Sequence, residues 1–141
     1  MYTGLIKMQD EALVHLFFHC CMKDGVFKET EIDNVSGKLV AFNLHAKLNF
    51  KDEMMKYKSY ANTITNEDSY LQYLVGLIKP VNEMALFSYC IELCLSDAEL
   101  SATEEQLLDK IARILTIPQA DQTIIQKLIV QRRVVEMQKI F

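Results

Sequence analysis

A chain of 141 residues, half of them hydrophobic and with only four glycines and two prolines, can bury roughly 70% of its unfolded surface, and it is too poor in turn formers for a strand-rich sandwich or for disorder. The formal net charge of −4 comes from acids and bases mixed along the chain, so no basic stripe is available to neutralise a run of phosphates and a nucleic-acid partner is not expected. No apolar run approaches the ~18 residues of a membrane span, and the opening MYTGLIKMQDEALVHLFF, broken by Asp10 and Glu11, lacks the small-residue cleavage site of a signal peptide.

Leu13, Leu16, Phe17 and Cys20 recur at three-and-four spacing, which predicts a first helix from about Asp10 to Met22, stopped by Lys23, Asp24 and Gly25. Thr30, with Asp33 three residues on, is placed to cap a second helix whose buried face is Ile32, Val35, Leu39 and Phe42. A connector over 44–51 leads to a short polar helix through Met54, Met55 and Tyr57, and a better-patterned one follows around Tyr70, Leu74 and Ile78. Pro80 suits the first turn of the next helix, which carries Met84, Phe87, Ser88, Ile91 and Leu95 down to Asp97. After the loop SDAELSA, Thr103 and Gln106 form a capping box for a helix bearing Leu107, Leu108, Ile111, Ile114 and Leu115, and beyond Pro118 a last helix runs from Asp121 to about Lys139. The expectation is an all-α compact bundle of about seven helices, one domain over 1–141. Gly37 and Gly76 fall inside predicted helices, where they are read as allowing close helix approach.

Sliding the chain over itself by 73 positions aligns Ala12 with Ala85, Leu13 with Leu86, Cys21 with Cys94, Asp24 with Asp97, Thr30 with Thr103 and Glu31 with Glu104. The apolar pattern matches between these identities, with Val35 over Leu108 and Phe42 over Leu115. The reading is two pseudo-symmetric helix–loop–helix units, about 10–43 and 83–116. Glu31 and Glu104 open their second helices, where the positive end of the macrodipole favours an acid by about 0.3–1 kcal/mol with no ligand present. Asp24 and Asp97 end their first helices, where the dipole works against them, so they need another reason: an Asx-turn or a bound cation.

The first loop reads Asp-Gly-Val-Phe-Lys-Glu-Thr-Glu and the second Asp-Ala-Glu-Leu-Ser-Ala-Thr-Glu. Together with the apolar helices around them, from about Asp10 to Leu115, they resemble the tellurite-resistance TerB family. The resemblance implies a bundle of two related halves that bring their acidic loops together around a divalent cation, Ca²⁺, Mg²⁺ or Mn²⁺. The matching positions here are Asp24 and Glu31, Asp97 and Glu104. The second loop departs from the pattern in having Ala98 for the glycine kept as Gly25, and it is not an EF-hand, since the twelfth position from Asp97 is Leu108 and not a bidentate glutamate.

His15 and His19 stand one helical turn apart. With Cys20 or Cys94 they could ligate zinc, or they could lie at the edge of the core with ordinary hydrogen bonds, which is the favoured reading because no HExxH accompanies them. Cys20, Cys21, Cys90 and Cys94 sit in apolar runs as core thiols of a cytoplasmic protein. In the last helix Arg132 and Arg133 interrupt an apolar run that either docks on the bundle or offers a face to a protein partner or a second copy. No glycine-rich phosphate loop, nucleophile elbow or paired-carboxylate cleft is present, so the expectation is a non-enzymatic interaction or stress-response module that binds a cation between its loops. The alternative is a structural assembly domain that homo-dimerises without any metal.

Overall fold

The computed structural model describes residues 1–22, 29–95 and 100–141. These residues form eight helices and no strand: α1 (Tyr2–Leu5), α2 (Gln9–Cys21), α3 (Glu29–Ala41), α4 (Phe50–Tyr60), α5 (Glu67–Ile78), α6 (Glu83–Cys94), α7 (Ala102–Ile114) and α8 (Gln119–Glu136), with a 3₁₀ turn at Ala61–Thr63. The all-α bundle expected from the periodicity is what forms, with α1 in addition. No described helix is long and apolar enough to cross a membrane.

The bundle is organised around α2. From Val14 to Cys21 every residue is buried, so this helix is apolar on nearly all sides and can be satisfied only at the centre of other helices. It packs against α3, α4, α5 and α6. Tyr70, Leu71 and Leu74 of α5 meet it in the core, and Leu107, Leu108, Ile111 and Ala112 of α7 extend that core towards α6. The short α1 is held by Tyr2, whose ring lies 4.9 Å from that of Tyr70, and by the Tyr73 hydroxyl donating to the carbonyl of Ile6 at 2.5 Å.

Side-chain caps set the helix starts. Asn49, Asn66 and Asn82 each accept from the backbone N–H three residues on, satisfying a donor that the first turn would otherwise leave unpaired. Three expected starts move. The capping box of α7 is Ser101 with Glu104, not Thr103 with Gln106: Ser101 Oγ accepts from the Glu104 amide at 3.1 Å while Glu104 Oε1 accepts from the Ser101 amide at 2.9 Å, and Thr103 lies inside the helix. Thr30 likewise lies inside α3, which begins at Glu29. Pro80 precedes α6 instead of entering its first turn, since Lys79 leaves α5 in a left-handed conformation (φ 48°) and Asn82 starts the next helix.

The two helix glycines do not serve close approach. A methyl group added at Gly37 or Gly76 would meet nothing within 4 Å, and both positions are exposed. Phe42, placed on the buried face by the sequence pattern, is 36% exposed and packs edge-on against Tyr89 at 5.1 Å at the margin of the core.

Candidate functional site

The 73-position offset carries Glu29 to Ala102 and Ala41 to Ile114, the first and last residues of α3 and α7. It also relates two contacts where α2 and α6 end side by side. Cys21 Sγ lies 3.9 Å from the carbonyl oxygen of Leu93, and Cys94 Sγ lies 3.8 Å from that of Cys20. Since the offset pairs Cys21 with Cys94 and Cys20 with Leu93, exchanging the two helices turns each contact into the other. In the sequence, the two acidic segments follow directly after these adjacent ends.

Of the four acids singled out there, Asp24 and Asp97 lie outside the described residues. Glu31 is the third residue of α3 and is buried at 5% exposure, near enough to Cys21 for its charge to help raise that thiol's pKa after burial itself. Glu104 is the third residue of α7, half-buried, with one oxygen engaged in the capping box. Glu31 and Glu104 therefore hold equivalent helix positions in unequal surroundings. Among the described residues no group of three or more His, Cys, Asp or Glu side chains is arranged to hold a metal ion.

The histidines form a buried polar system that sequence reasoning missed. His15 Nδ1 is 2.6 Å from the Tyr60 hydroxyl and its Nε2 is 3.1 Å from Glu53 Oε1. One turn on, His19 Nδ1 is 2.8 Å from the Tyr57 hydroxyl and its Nε2 is 2.8 Å from Glu67 Oε2. Each glutamate is also held by a lysine, Glu53 by Lys56 at 3.0 Å and Glu67 by Lys110 at 2.9 Å. The same order of groups, tyrosine, histidine, glutamate and lysine, thus runs twice from the core to the surface. The Tyr60 hydroxyl is shared further with that of Tyr70 at 2.7 Å. With Nε2–H donating to a carboxylate, Nδ1 is left to accept from a phenol, which assigns the Nε2–H tautomer to a neutral ring. Burial lowers the pKa of His15, and the hydrogen bond and charge of Glu53 offset only part of that.

Both ring nitrogens of each histidine are engaged, so the zinc site considered for His15, His19 and a cysteine is not formed. A sequence signal for the actual arrangement exists: Glu53, Tyr57 and Tyr60 share one face of α4 at i, i+4 and i+7, with carboxyl and phenol groups opposite two histidines on an otherwise apolar helix.

The four cysteines are free and buried. Cys20 lies against the thiols of Cys90 and Cys94, and these contacts together with complete burial push its pKa well above the ordinary value, the setting of inert core thiols.

No curated protein and no solved structure matches the chain. The family model described as tellurite resistance protein TerB matches residues 10–127, which takes in α2 from its second residue, α3 through α7 and the first half of α8. By that match over most of its length, this chain belongs to the TerB family.

Proposed function

We propose that this TerB-family chain is a non-enzymatic interaction module, cytoplasmic, in which the acidic loops bearing Asp24 and Glu31, and Asp97 and Glu104, hold one divalent cation, Ca²⁺, Mg²⁺ or Mn²⁺, between them. The observation that carries the reading is the reciprocal contact of Cys21 with Leu93 and Cys94 with Cys20. It brings two helix C-termini, each a site of partial negative charge, to the same place from which both loops depart. A carboxylate close to a helix C-terminus is opposed by the dipole, and a hard cation with oxygen ligands relieves that repulsion. The full engagement of His15 and His19 within the protein supports a structural role for them over acid–base catalysis. Four free, buried thiols suit a reducing compartment.

Thermal unfolding of EDTA-treated protein, alone and with each cation, tests the reading. A ligand of the native state at a hundredfold excess over Kd adds about 2.7 kcal/mol, a rise of roughly 5–10 °C for a domain of this size. The rise should vanish when Asp24 and Asp97 are both replaced by Asn. Indifference of the wild-type protein to all three cations would overturn the reading.

A second reading, an assembly domain that homo-dimerises without metal, is favoured by the outer side of α8. That helix packs chiefly on α6 and turns Ile124, Leu128 and Val135 outward at 56–65% exposure, at spacings that place them on one stripe. A second copy presenting the same stripe would cover it isologously. Sedimentation equilibrium decides: a mass that rises with concentration in the wild type and stays monomeric in Leu128→Glu supports it, and a monomer throughout removes it.

A further inference from the structure

Between α3, α6 and α8 lies a surface cleft of about 350 Å³ whose charged lining is Lys38, Glu92, Arg132, Arg133 and Glu136. Two of its three cations are matched: Lys38 Nζ is 2.6 Å from Glu92 Oε2, and Arg132 Nε is 2.8 Å from Glu136 Oε1. Arg133 is not. Its Nε is buried and donates to no acceptor among the described residues, and none of the ion pairs there includes its guanidinium. Folded proteins leave few buried donors in that condition, and the usual resolution is a water, an ion or a ligand. The lining thus carries one net positive charge, located at Arg133, beside the apolar side chains of Leu93 and Ile129.

We propose that this cleft binds a monoanionic carboxylate with a short aliphatic tail. The planar guanidinium of Arg133, which lines the cleft, presents paired N–H donors that match the two oxygens of a carboxylate. The tail lies on Leu93 and Ile129. A single net charge suits a monoanion, whereas a phosphate dianion would set its second charge against Glu92 and Glu136. Either a free small carboxylic acid or the glutamate side chain of a peptide has this chemistry. Arg132, Arg133 and Glu136 lie beyond residue 127, where the family match ends, and the site uses none of the four loop acids, so it stands or falls independently of the cation.

The test is an amide NMR titration with sodium valerate, with the peptide acetyl-Ala-Glu-Leu-amide and with inorganic phosphate. We expect saturable shifts at Leu93 and Ile129 with a carboxylate probe. Replacing Arg133 by Gln should weaken binding by about 10-fold or more, as loss of a hydrogen bond to a charged group does, and Arg132→Gln should weaken it less. Asn34 rims the same cleft and is exposed, so Asn34→Trp narrows it without touching the arginine and should also weaken binding, even if Arg133→Gln does not fold. Tighter binding of the peptide identifies a peptide glutamate as the ligand, and tighter binding of valerate a free acid. No saturable response to either carboxylate, tighter binding of phosphate, or undiminished binding in a folded Arg133→Gln protein would overturn the proposal.

Discussion

His15 and Tyr60 lie with their rings stacked, 5.6 Å apart and 12° from parallel, and with the phenol oxygen 2.6 Å from Nδ1. The arrangement suits a neutral imidazole, and burial lowers the His15 pKa below its ordinary value of 6.5. The unfolded chain, whose histidine titrates normally, therefore takes up a proton at a higher pH than the folded one. Stability from this residue is complete above about pH 6.5 and is lost as the pH falls from there to the lowered folded value. Urea midpoints measured between pH 7.5 and pH 5 should fall with pH, and His15→Gln should flatten the profile in the upper part of that window. An unchanged slope in the variant would assign the acid sensitivity to another group.

Tyr60 joins the two sides of the buried network, since its hydroxyl meets both His15 Nδ1 and the Tyr70 hydroxyl. In Tyr60→Phe neither partner gains a replacement inside the core, and a buried polar group left unsatisfied costs about 1–3 kcal/mol. Tyr73→Phe removes a hydroxyl that donates to the backbone carbonyls of Thr3 and Ile6, bonds that are exposed and part-buried, and should cost about 1 kcal/mol or less. Equilibrium urea unfolding of the two variants gives the ranking, and equal small losses would show that the network contributes little.

The register of α7 gives a sharper contrast. Ser101 accepts from the Glu104 amide, so Ser101→Ala should cost about 1 kcal/mol, the usual loss of a cap. Thr103, two residues inside the cap and exposed, should tolerate Ala within about 0.5 kcal/mol. Glu104→Gln keeps the acceptor for the Ser101 amide and should lie close to wild type in stability. If Glu104 also ligates the cation, the same variant lowers the response to Ca²⁺, Mg²⁺ or Mn²⁺, which separates its two roles.

The thiols supply a kinetic prediction. With Cys20, Cys21, Cys90 and Cys94 all buried and the pKa values of the first two raised, a disulfide reagent at pH 8 should modify none of them rapidly in the folded protein and all four in guanidinium chloride. A single thiol reacting at once in the native state would mark a local opening at the α2–α6 junction.

How much of this was legible in the sequence depended on the range of the interaction. Val35, Leu39, Leu74, Leu107 and Ile111 announce the faces of their helices because burial repeats with the helical period, and the structure buries each of them. The fold class and the order of the seven longer helices follow from such patterns. Ser101 with Glu104 and Thr103 with Gln106 both satisfy the local capping pattern, so the pattern by itself does not place the α7 cap, which only the hydrogen bonds of Ser101 decide. His15 with Glu53 and His19 with Glu67 are joined across 38 and 48 residues, and no periodicity encodes a pairing at that distance. For the acidic loops, the recurrence of Asp24 and Glu31 at Asp97 and Glu104 is legible, whereas the adjacency of the α2 and α6 ends that precede the two loops comes only with the packing of Cys21 and Cys94.

Gly37 and Gly76 offer a test in the direction of added stability. Each sits within a helix, exposed, with nothing inside 4 Å of the position a methyl group would take. Neither, then, is kept for close packing, and each leaves the unfolded chain more freedom than alanine would. Alanine at such a site stabilises by about 0.4–1 kcal/mol, with Gly76 expected at the lower end because it is two residues from the end of α5. The two lie in different helices, so the double variant should gain close to the sum of the single gains. Urea unfolding of Gly37→Ala, Gly76→Ala and the pair measures this directly. A loss of stability at either site would mean that its surface is covered in solution, which at Gly37 on α3 would implicate a partner bound there and not the packing of the chain on itself.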